Sequence, residues 1–149
     1  MVVVLIISML MMVAIPSFQR VRQKAKSATL VNNLRVFGAV FQAYAHENGA
    51  WPAESAAGVM PTGITYRDLK VDVWTRVTPN GGKFDWEFNQ IHNGVKYRAA
   101  IAIADGDELP LVIDLELFRL MDVALDDGNL NTGNFRLGEG NCPLYILEP

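Results

Sequence analysis

The sequence predicts an α+β fold: one long N-terminal α-helix packed on a small antiparallel β-sheet head that carries one additional short helix. Three observations lead to this class. Residues 1–15 are apolar except for Ser8, residues 18–47 repeat apolar side chains at helical spacing, and residues 83–104 alternate with the period of paired strands. We divide the chain into a hydrophobic helix segment (1–17), the amphipathic half of the same helix (18–48) and a globular α+β head (49–149).

The apolar N-terminal run is short for a membrane span. Its fifteen residues would reach roughly 22 Å as a helix, against ~30 Å for the hydrocarbon core of a bilayer. A signal peptide would begin with basic residues and end at a small-residue cleavage site, whereas this run continues into Pro16. A buried core element is the other alternative. A membrane boundary is favoured because four basic residues follow within seven positions: Arg20, Arg22, Lys24 and Lys26.

The helix is predicted to continue to about Glu47, because residues 18–47 contain no proline and only one glycine, Gly38. Apolar residues recur every three or four positions on the face expected to pack on a core: Leu30, Leu34, Phe37, Phe41 and Tyr44, widened by Val31 and Ala45. The opposite face carries Asn32, Asn33, Arg35 and Gln42. Asn48-Gly49 supplies a C-cap before Pro52, so the rod would have about 47 residues and a length of roughly 70 Å.

Pro16 lies inside this predicted helix. A proline there removes the hydrogen bond to the Met12 carbonyl and costs ~3 kcal/mol or produces a kink. We therefore expect a position where the helix bends or melts locally.

The first half of the head reads as loop followed by a hairpin. Residues 53–70 are expected to be mostly loop, and a turn at Thr78–Gly82 precedes the strands. In the first strand, alternation places Phe84, Trp86 and Phe88 on one face. His92-Asn93-Gly94 is read as the hairpin turn, and residues 95–104 as the antiparallel partner strand.

The sequence of the last third of the chain predicts a short helix and a second hairpin. Asp114 is placed to cap a helix that runs to about Leu125, and Gly128 follows as its stop signal. The side chains expected to point inward are Leu117, Leu120, Met121 and Ala124. Residues 135–137 and 144–147 would pair around the Gly-Glu-Gly-Asn segment at 138–141.

Composition and charge exclude several classes of function. A net charge of −3 leaves no basic footprint for nucleic acid, so no nucleic-acid partner is expected. Cys142 is the only cysteine, and it can form neither an internal disulfide nor, with two histidines, a zinc site. His46 on the rod and His92 in a turn lack the neighbours of a nucleophile relay and are read as surface residues. We expect no catalytic residue, no cofactor and no enzymatic activity.

Two oxygen-rich segments are the remaining candidates for a metal ion. They are Asp105-Gly106-Asp107-Glu108 and Asp126-Asp127-Gly128-Asn129, and neither has the ligand spacing of an EF-hand. Turn and helix-cap chemistry explains both, so no metal ligand is expected, with calcium as the alternative.

Three stretches of sequence cover the apolar run, the second half of the long helix and part of the last third of the chain. They are residues 2–25, which include Ala14-Ile15-Pro16-Ser17-Phe18, then residues 35–44 followed by Asn48-Gly49 and Trp51-Pro52, and finally Met121-Asp122 and Leu125–Asn129 with Thr132–Arg136. Together they resemble motifs of the type IV pilins and type II secretion pseudopilins, and they cover most of the helix and part of the head. The resemblance implies a pilin-like α+β fold.

The beginning of the chain departs from that family. Met1 would lie a few residues inside the family's mature helix, so the basic leader, the glycine before the cleavage point, the methylated phenylalanine and the nearby glutamate are not present. We expect the true start to lie upstream; the alternative is a copy that cannot be processed. Restoring those residues would lengthen the apolar run to about 20, enough to span a bilayer. Taken alone, the basic residues between positions 20 and 26 would place that end of the apolar segment in the cytoplasm. A basic leader upstream would reverse this orientation.

The resemblance implies a structural subunit of a type II secretion pseudopilus or a type IV pilus. It would be a single-pass protein of the bacterial inner membrane with its head in the periplasm, polymerising through its apolar helix into a filament in the periplasm or at the cell surface. Its partners would be further copies, other pilins or pseudopilins, the assembly platform, the lipid bilayer and, if the start lies upstream, a prepilin peptidase. The alternative is a single-pass anchored binding module, periplasmic or extracellular, that does not polymerise.

Overall fold

One helix determines the shape of this protein. Helix α1 extends from Val2 to Asn48 in a computed structural model that describes residues 2–65, 69–106 and 109–149. Gly49 follows the helix with φ +69°, the left-handed conformation that commonly ends a helix. The single long helix and its C-cap are thereby confirmed. The helix is continuous through Pro16, although a proline cannot donate to the Met12 carbonyl.

The head contains a four-stranded antiparallel sheet in the order β1-β2-β4-β3. The strands are β1 Lys83–His92, β2 Val95–Ala104, β3 Phe135–Leu137 and β4 Pro143–Glu148. Asn93 and Gly94 join the first two with φ values of 51° and 81°, as a type I′ hairpin turn requires. Both predicted hairpins are confirmed. However, β2 is a central strand, and it buries both of its faces from Ala99 to Ile103, whereas only one alternating face was expected.

The core lies between the sheet and the C-terminal half of α1. The predicted stripe is buried, with Leu30, Leu34, Phe37 and Phe41 each at most 1% exposed and Tyr44 partly buried against them. The Phe41 ring stacks on Trp86 at 4.1 Å between centroids. Phe37 meets Phe84 edge-on at 4.9 Å and Trp74 edge-on at 5.1 Å. These aromatic contacts attach the sheet to the helix.

The loop after α1 is held by two indole nitrogens. Trp86 donates to the Pro52 carbonyl at 3.1 Å, and Trp74 donates to the Val59 carbonyl at 2.9 Å. Trp74 belongs to α2, Val71–Trp74, a single helical turn that the sequence did not indicate. The described part of residues 53–70 otherwise has the predicted loop structure.

Helix α3, Leu115–Leu125, runs alongside α1 and parallel to it. Gln23 donates to the Asp114 carboxylate at the start of α3 at 2.7 Å, and Arg35 donates to the Ala124 carbonyl near its end. The predicted cap is confirmed, because Asp114 Oδ1 accepts the Leu117 N–H at 3.0 Å.

The inward face of α3 differs from the prediction. Its buried residues are Leu117, Phe118, Met121 and Asp122, whereas Ala124 is exposed and Leu120 is half-buried. The helix is rotated so that the large Phe118 ring is buried in place of the Ala124 methyl group. Burying a phenylalanine removes far more apolar area from water, which gives the rotation its physical reason.

Truncating the central aromatic contact should destabilise the head strongly. We expect Phe41→Ala to lower the free energy of unfolding by about 3–5 kcal/mol, since it leaves a cavity against Trp86. Urea unfolding of the detergent-solubilised chain, followed by tryptophan fluorescence, measures this loss. The neighbouring exposed residue provides the control: Gln42→Ala should change stability by less than about 0.5 kcal/mol. Equal effects of the two variants would contradict the assigned core.

The missing hydrogen bond at Pro16 should be measurable in the intact helix. Pro16→Ala adds an N–H that can donate to the Met12 carbonyl and should stabilise the helix by up to about 3 kcal/mol. Amide hydrogen exchange in detergent micelles would then slow over the turn around position 16. Ile15→Ala shortens a neighbouring side chain without adding a donor, so it should not slow exchange. Unchanged protection in Pro16→Ala would count against a local weakness at this position.

Candidate functional surface

The first half of α1 projects beyond the head and is exposed on all sides. Every residue from Val2 to Met12 and from Ile15 to Arg22 is exposed, with large apolar side chains between 50% (Ile7) and 78% (Met12) accessible. An 18-residue window here has a mean hydropathy of 2.3, and none of it is buried against the head. This helix is long and apolar enough to span a membrane.

A collar of basic residues follows this apolar rod. Arg20 and Lys24 share one side of the helix and Arg22 and Lys26 another, because residues four apart are neighbours on a helix surface. Arg20, Arg22 and Lys24 are exposed. The half-buried Lys26 donates to Asn80 Oδ1 at 3.4 Å. The collar therefore lies at the level where the head begins to contact α1.

Asp114 fixes the head to α1 at the same level along the helix. Burial acts to raise the pKa of this carboxyl. Hydrogen bonds from Gln23 and from the amides of Leu117 and Glu116 outweigh burial and hold the pKa below its ordinary value. An ionised Asp114 can therefore cap α3 and bind Gln23 at neutral pH. The joint between rod and head is thus formed by specific hydrogen bonds, in addition to the apolar core above it.

A cluster of ionisable groups lies at the β1 edge of the sheet, where Asp85 and Glu87 alternate with the apolar side chains that face the core. We call it the outer cluster: Glu54, Asp85, Glu87, His92, Glu139 and Cys142. Burial, together with the charge of Glu54, raises the pKa of Glu87 to about 7. Burial and the charges of Glu87 and Glu54 raise the pKa of Asp85 to about 7 as well. Both carboxyls are thus partly protonated near neutral pH.

His92 does not lie in a surface turn, as the sequence suggested. It pairs with Val95 as the last residue of β1 and is only 8% exposed. Its Nδ1 accepts the Glu139 N–H at 3.3 Å, and its Nε2 lies 3.7 Å from a Glu87 carboxylate oxygen. The prediction failed because the segment around Gly138 folds onto the imidazole, and that contact is remote in sequence. Burial lowers the pKa of His92.

Cys142 lies half-buried beside this histidine as a free thiol. Burial and the negative charges of Glu87 and Asp85 raise its pKa to about 11. The thiol is therefore protonated at neutral pH and is a poor nucleophile.

The acidic loop after α3 shows the predicted turn chemistry together with one exception. Asp126 accepts the Asn134 N–H, and Asp127 accepts from the Asn129 N–H at 2.8 Å and from the Thr132 hydroxyl at 2.7 Å. The exception is Asp122, which is fully buried with no hydrogen-bond partner for either carboxylate oxygen. Burial raises its pKa.

One atom each of Asp122, Asp126 and Asp127 lies within 4.8 Å of the other two. Such a group of carboxylates could supply oxygen ligands to a hard cation such as calcium. In the other oxygen-rich segment, Asp105 accepts the Leu111 N–H at 2.7 Å, as a turn residue does. Asp107 and Glu108 lie outside the residues that the structure describes.

The spacing of residues in the sequence could have predicted where some of these polar groups lie. Asp85 and Glu87 alternate with the apolar side of β1, which places them together on its other face. Asp122 and Asp126 are four residues apart, which places them on one side of a helix end. The covering of His92 and the burial of Asp122 depend on tertiary packing and have no local sequence signal.

The fold and its surface define a class of protein: a polar α+β head carried on a single helix that is bare and apolar for half its length. The chain matches no protein-family model, no curated protein and no solved structure. Its function is therefore argued from the exposed helix, the collar and the head.

The outer cluster should make stability fall as the pH rises from about 4, where the unfolded carboxyls ionise, through the folded pKa values of about 7, and level off above them. With folded pKa values of about 7 for Asp85 and Glu87, the folded state holds protons that the unfolded state has already lost. Between about pH 6.5 and pH 8.5 the free energy of unfolding should fall on the order of 1–2 kcal/mol. His92, whose folded pKa is lowered, acts in the opposite direction: the unfolded imidazole is about half protonated at pH 6.5, so it offsets a few tenths of a kcal/mol of this fall.

Urea midpoints at the two pH values measure this fall. The double variant Asp85→Asn with Glu87→Gln should flatten it. Asp72→Asn, on the exposed side of α2, should leave it unchanged. A wild-type stability that rises over this range would show that the two carboxyls are ionised throughout.

Proposed function

We propose that this chain is a structural filament subunit of the type II secretion pseudopilus or type IV pilus class. In this proposal α1 first holds the subunit in a membrane and later forms the core of the polymer. The observation that carries the proposal is the division of one continuous helix into two halves. The half from Ser27 onward is packed against the head, whereas the first half is mostly apolar, and the side chains of residues 2–12 and 15–21 are uncovered.

The uncovered half cannot remain in water. Each large apolar side chain that leaves water contributes roughly 2 kcal/mol, and more than ten such side chains are exposed there. Within the residues that the structure describes, the head does not cover them, because none of the most apolar window is buried. The helix must therefore be covered by lipid or by other chains.

The distribution of side chains favours a polymer over a closed dimer. A helix that forms one pair needs one apolar stripe, but residues 2–12 are apolar all round except for Ser8. A helix that is apolar on every side is suited to being surrounded. Copies that pack side by side through different faces form a heterologous contact, and when this contact does not close it generates a helical filament.

The resemblance to pilins supports the compartment and the partners. On that basis the anchored subunit lies in the bacterial inner membrane with its head in the periplasm, and its partners are other pilins or pseudopilins and the assembly platform. The collar of bases at the membrane boundary agrees with such an anchor, since basic side chains at a helix end contact lipid head groups.

Disulfide crosslinking along the rod tests polymerisation. In a Cys142→Ala background, two cysteines at staggered levels, Leu5→Cys with Phe18→Cys, should give a ladder of oligomers after oxidation in the native host. A chain with two cysteines can link to a neighbour on each side, whereas either single variant can form dimers at most. The single variants are therefore the matched controls.

When the membranes are dissolved in detergent before oxidation, subunits not yet packed in a filament separate, so the ladder that remains comes from the assembled polymer. Monomers and dimers alone from the double variant in intact cells would overturn the proposal. That result would favour a non-polymerising membrane-anchored binding module.

A further inference from the structure

We propose that an apolar loop at the base of the head lies in the interfacial layer of the membrane when α1 is anchored there. We call residues 109–115 the base loop. The inference rests on the membrane anchor of the proposed function but not on polymerisation. It assigns the lipid interface as the partner of a head surface.

The base loop presents an unusual run of exposed apolar side chains. Its sequence is Leu-Pro-Leu-Val-Ile-Asp-Leu. The exposed fractions of its large apolar residues are Leu109 52%, Val112 55%, Ile113 46% and Leu115 48%. The single polar residue, Asp114, is bonded to Gln23 of α1. The outer surface of the loop is therefore apolar, and contiguous apolar surface commonly marks a contact site.

The exposure is a fixed feature of the loop, because its backbone is tied to the turn before β1. Gly82 donates to the Leu109 carbonyl at 3.0 Å and Val112 donates to the Asn80 carbonyl at 3.0 Å. The Asn80 side chain donates in turn to the Val112 carbonyl at 2.6 Å. At Gly81 an added Cβ would lie 2.1 Å from the Pro110 carbonyl oxygen, so the two segments are in close contact.

The level of the base loop along α1 is set by two contacts with the rod. Asp114 is bonded to Gln23, and Asn80, which holds Val112, accepts from Lys26. The change from apolar to basic residues falls between Phe18 and Arg22, which places the edge of the hydrocarbon there. The head-group layer beyond it is about 5–7 Å thick, equal to about four residues of helix. This layer therefore ends between about residues 22 and 26 and includes the level of Gln23.

Charge at this level fits a lipid surface. The four bases of the collar surround the helix at the height of the base loop and complement lipid phosphates. Apolar side chains beside bases are the combination found in segments that lie in a membrane interface.

Fluorescent labels on single cysteines in full-length protein test this placement. In a Cys142→Ala background, Val112→Cys and Val123→Cys provide a matched pair of exposed valines. Val123 lies nine residues beyond Asp114 on α3, about 14 Å farther from the membrane. A third variant, Leu10→Cys, reports the anchor. Each is labelled with nitrobenzoxadiazole and reconstituted in vesicles of phosphatidylethanolamine and phosphatidylglycerol.

We expect the label at position 112 to emit at shorter wavelength than the label at 123. Nitroxide attached to the lipid head group should quench it several-fold more strongly. The label at position 10 should be quenched by nitroxide deep in the acyl chains. Equal emission and quenching at 112 and 123, with position 10 quenched, would overturn this inference and leave the anchor intact. Loss of deep quenching at position 10 would overturn the anchor as well.

A further measurement separates lipid from a second copy of the chain. The signal at position 112 should persist when the protein is diluted many-fold in lipid. A signal that disappears on dilution would show that a neighbouring subunit covers the base loop, and this result would overturn the assignment to lipid.

Discussion

The packing of the α1 stripe on the aromatic side chains of the head is the contact on which the rest of this structure depends. Phe37 and Phe41 reach Trp74, Phe84 and Trp86 at ring distances between 4.1 and 5.4 Å. These rings bury a large area, and their stacked and edge-on arrangement adds to the stabilisation. Because the contacts all lie in the C-terminal half of α1, they fix the direction of the rod while covering none of its N-terminal half.

The same packing also sets the position along α1 of the collar and of the base loop. Helix α3 lies parallel to α1, bonded at Gln23 and again at Arg35. The collar and the base loop therefore occupy one level along the rod. Hydrogen bonds at that level would not hold an isolated helix to the head, since a typical net contribution is only about 1 kcal/mol each. They determine the register of two surfaces that the apolar core already holds together.

Local signals in the sequence predicted the elements of this fold other than the single turn α2, and packing decided their faces. The stripe from Leu30 to Tyr44 and the Asn93-Gly94 turn each determine their structure within a few residues, so both were predicted. The face of α3 was predicted correctly at Leu117 and Met121 but wrongly at Ala124, because Phe118 is buried in its place, a choice that sequence periodicity alone does not resolve. The burial of His92 beneath the Gly138 segment joins positions 46 residues apart, so nothing near either residue indicates it. The exposed rod was visible in the sequence, but the level of the base loop required the structure.

The same rod can serve a membrane and a polymer because the two environments are similar for an apolar side chain. Lipid tails are about as apolar as leucine, so moving the rod from lipid into a bundle of rods gains little from the hydrophobic effect. The free energy that favours transfer from the membrane to the filament must then come from closer packing of the rods and from polar contacts at the base of the head. In the proposed pathway the collar leaves lipid phosphates, and the base loop leaves the interface for a surface of another subunit. Both carry a cost that contacts in the assembled filament must offset. The base of the head, more than the rod itself, is therefore the place where membrane and filament compete.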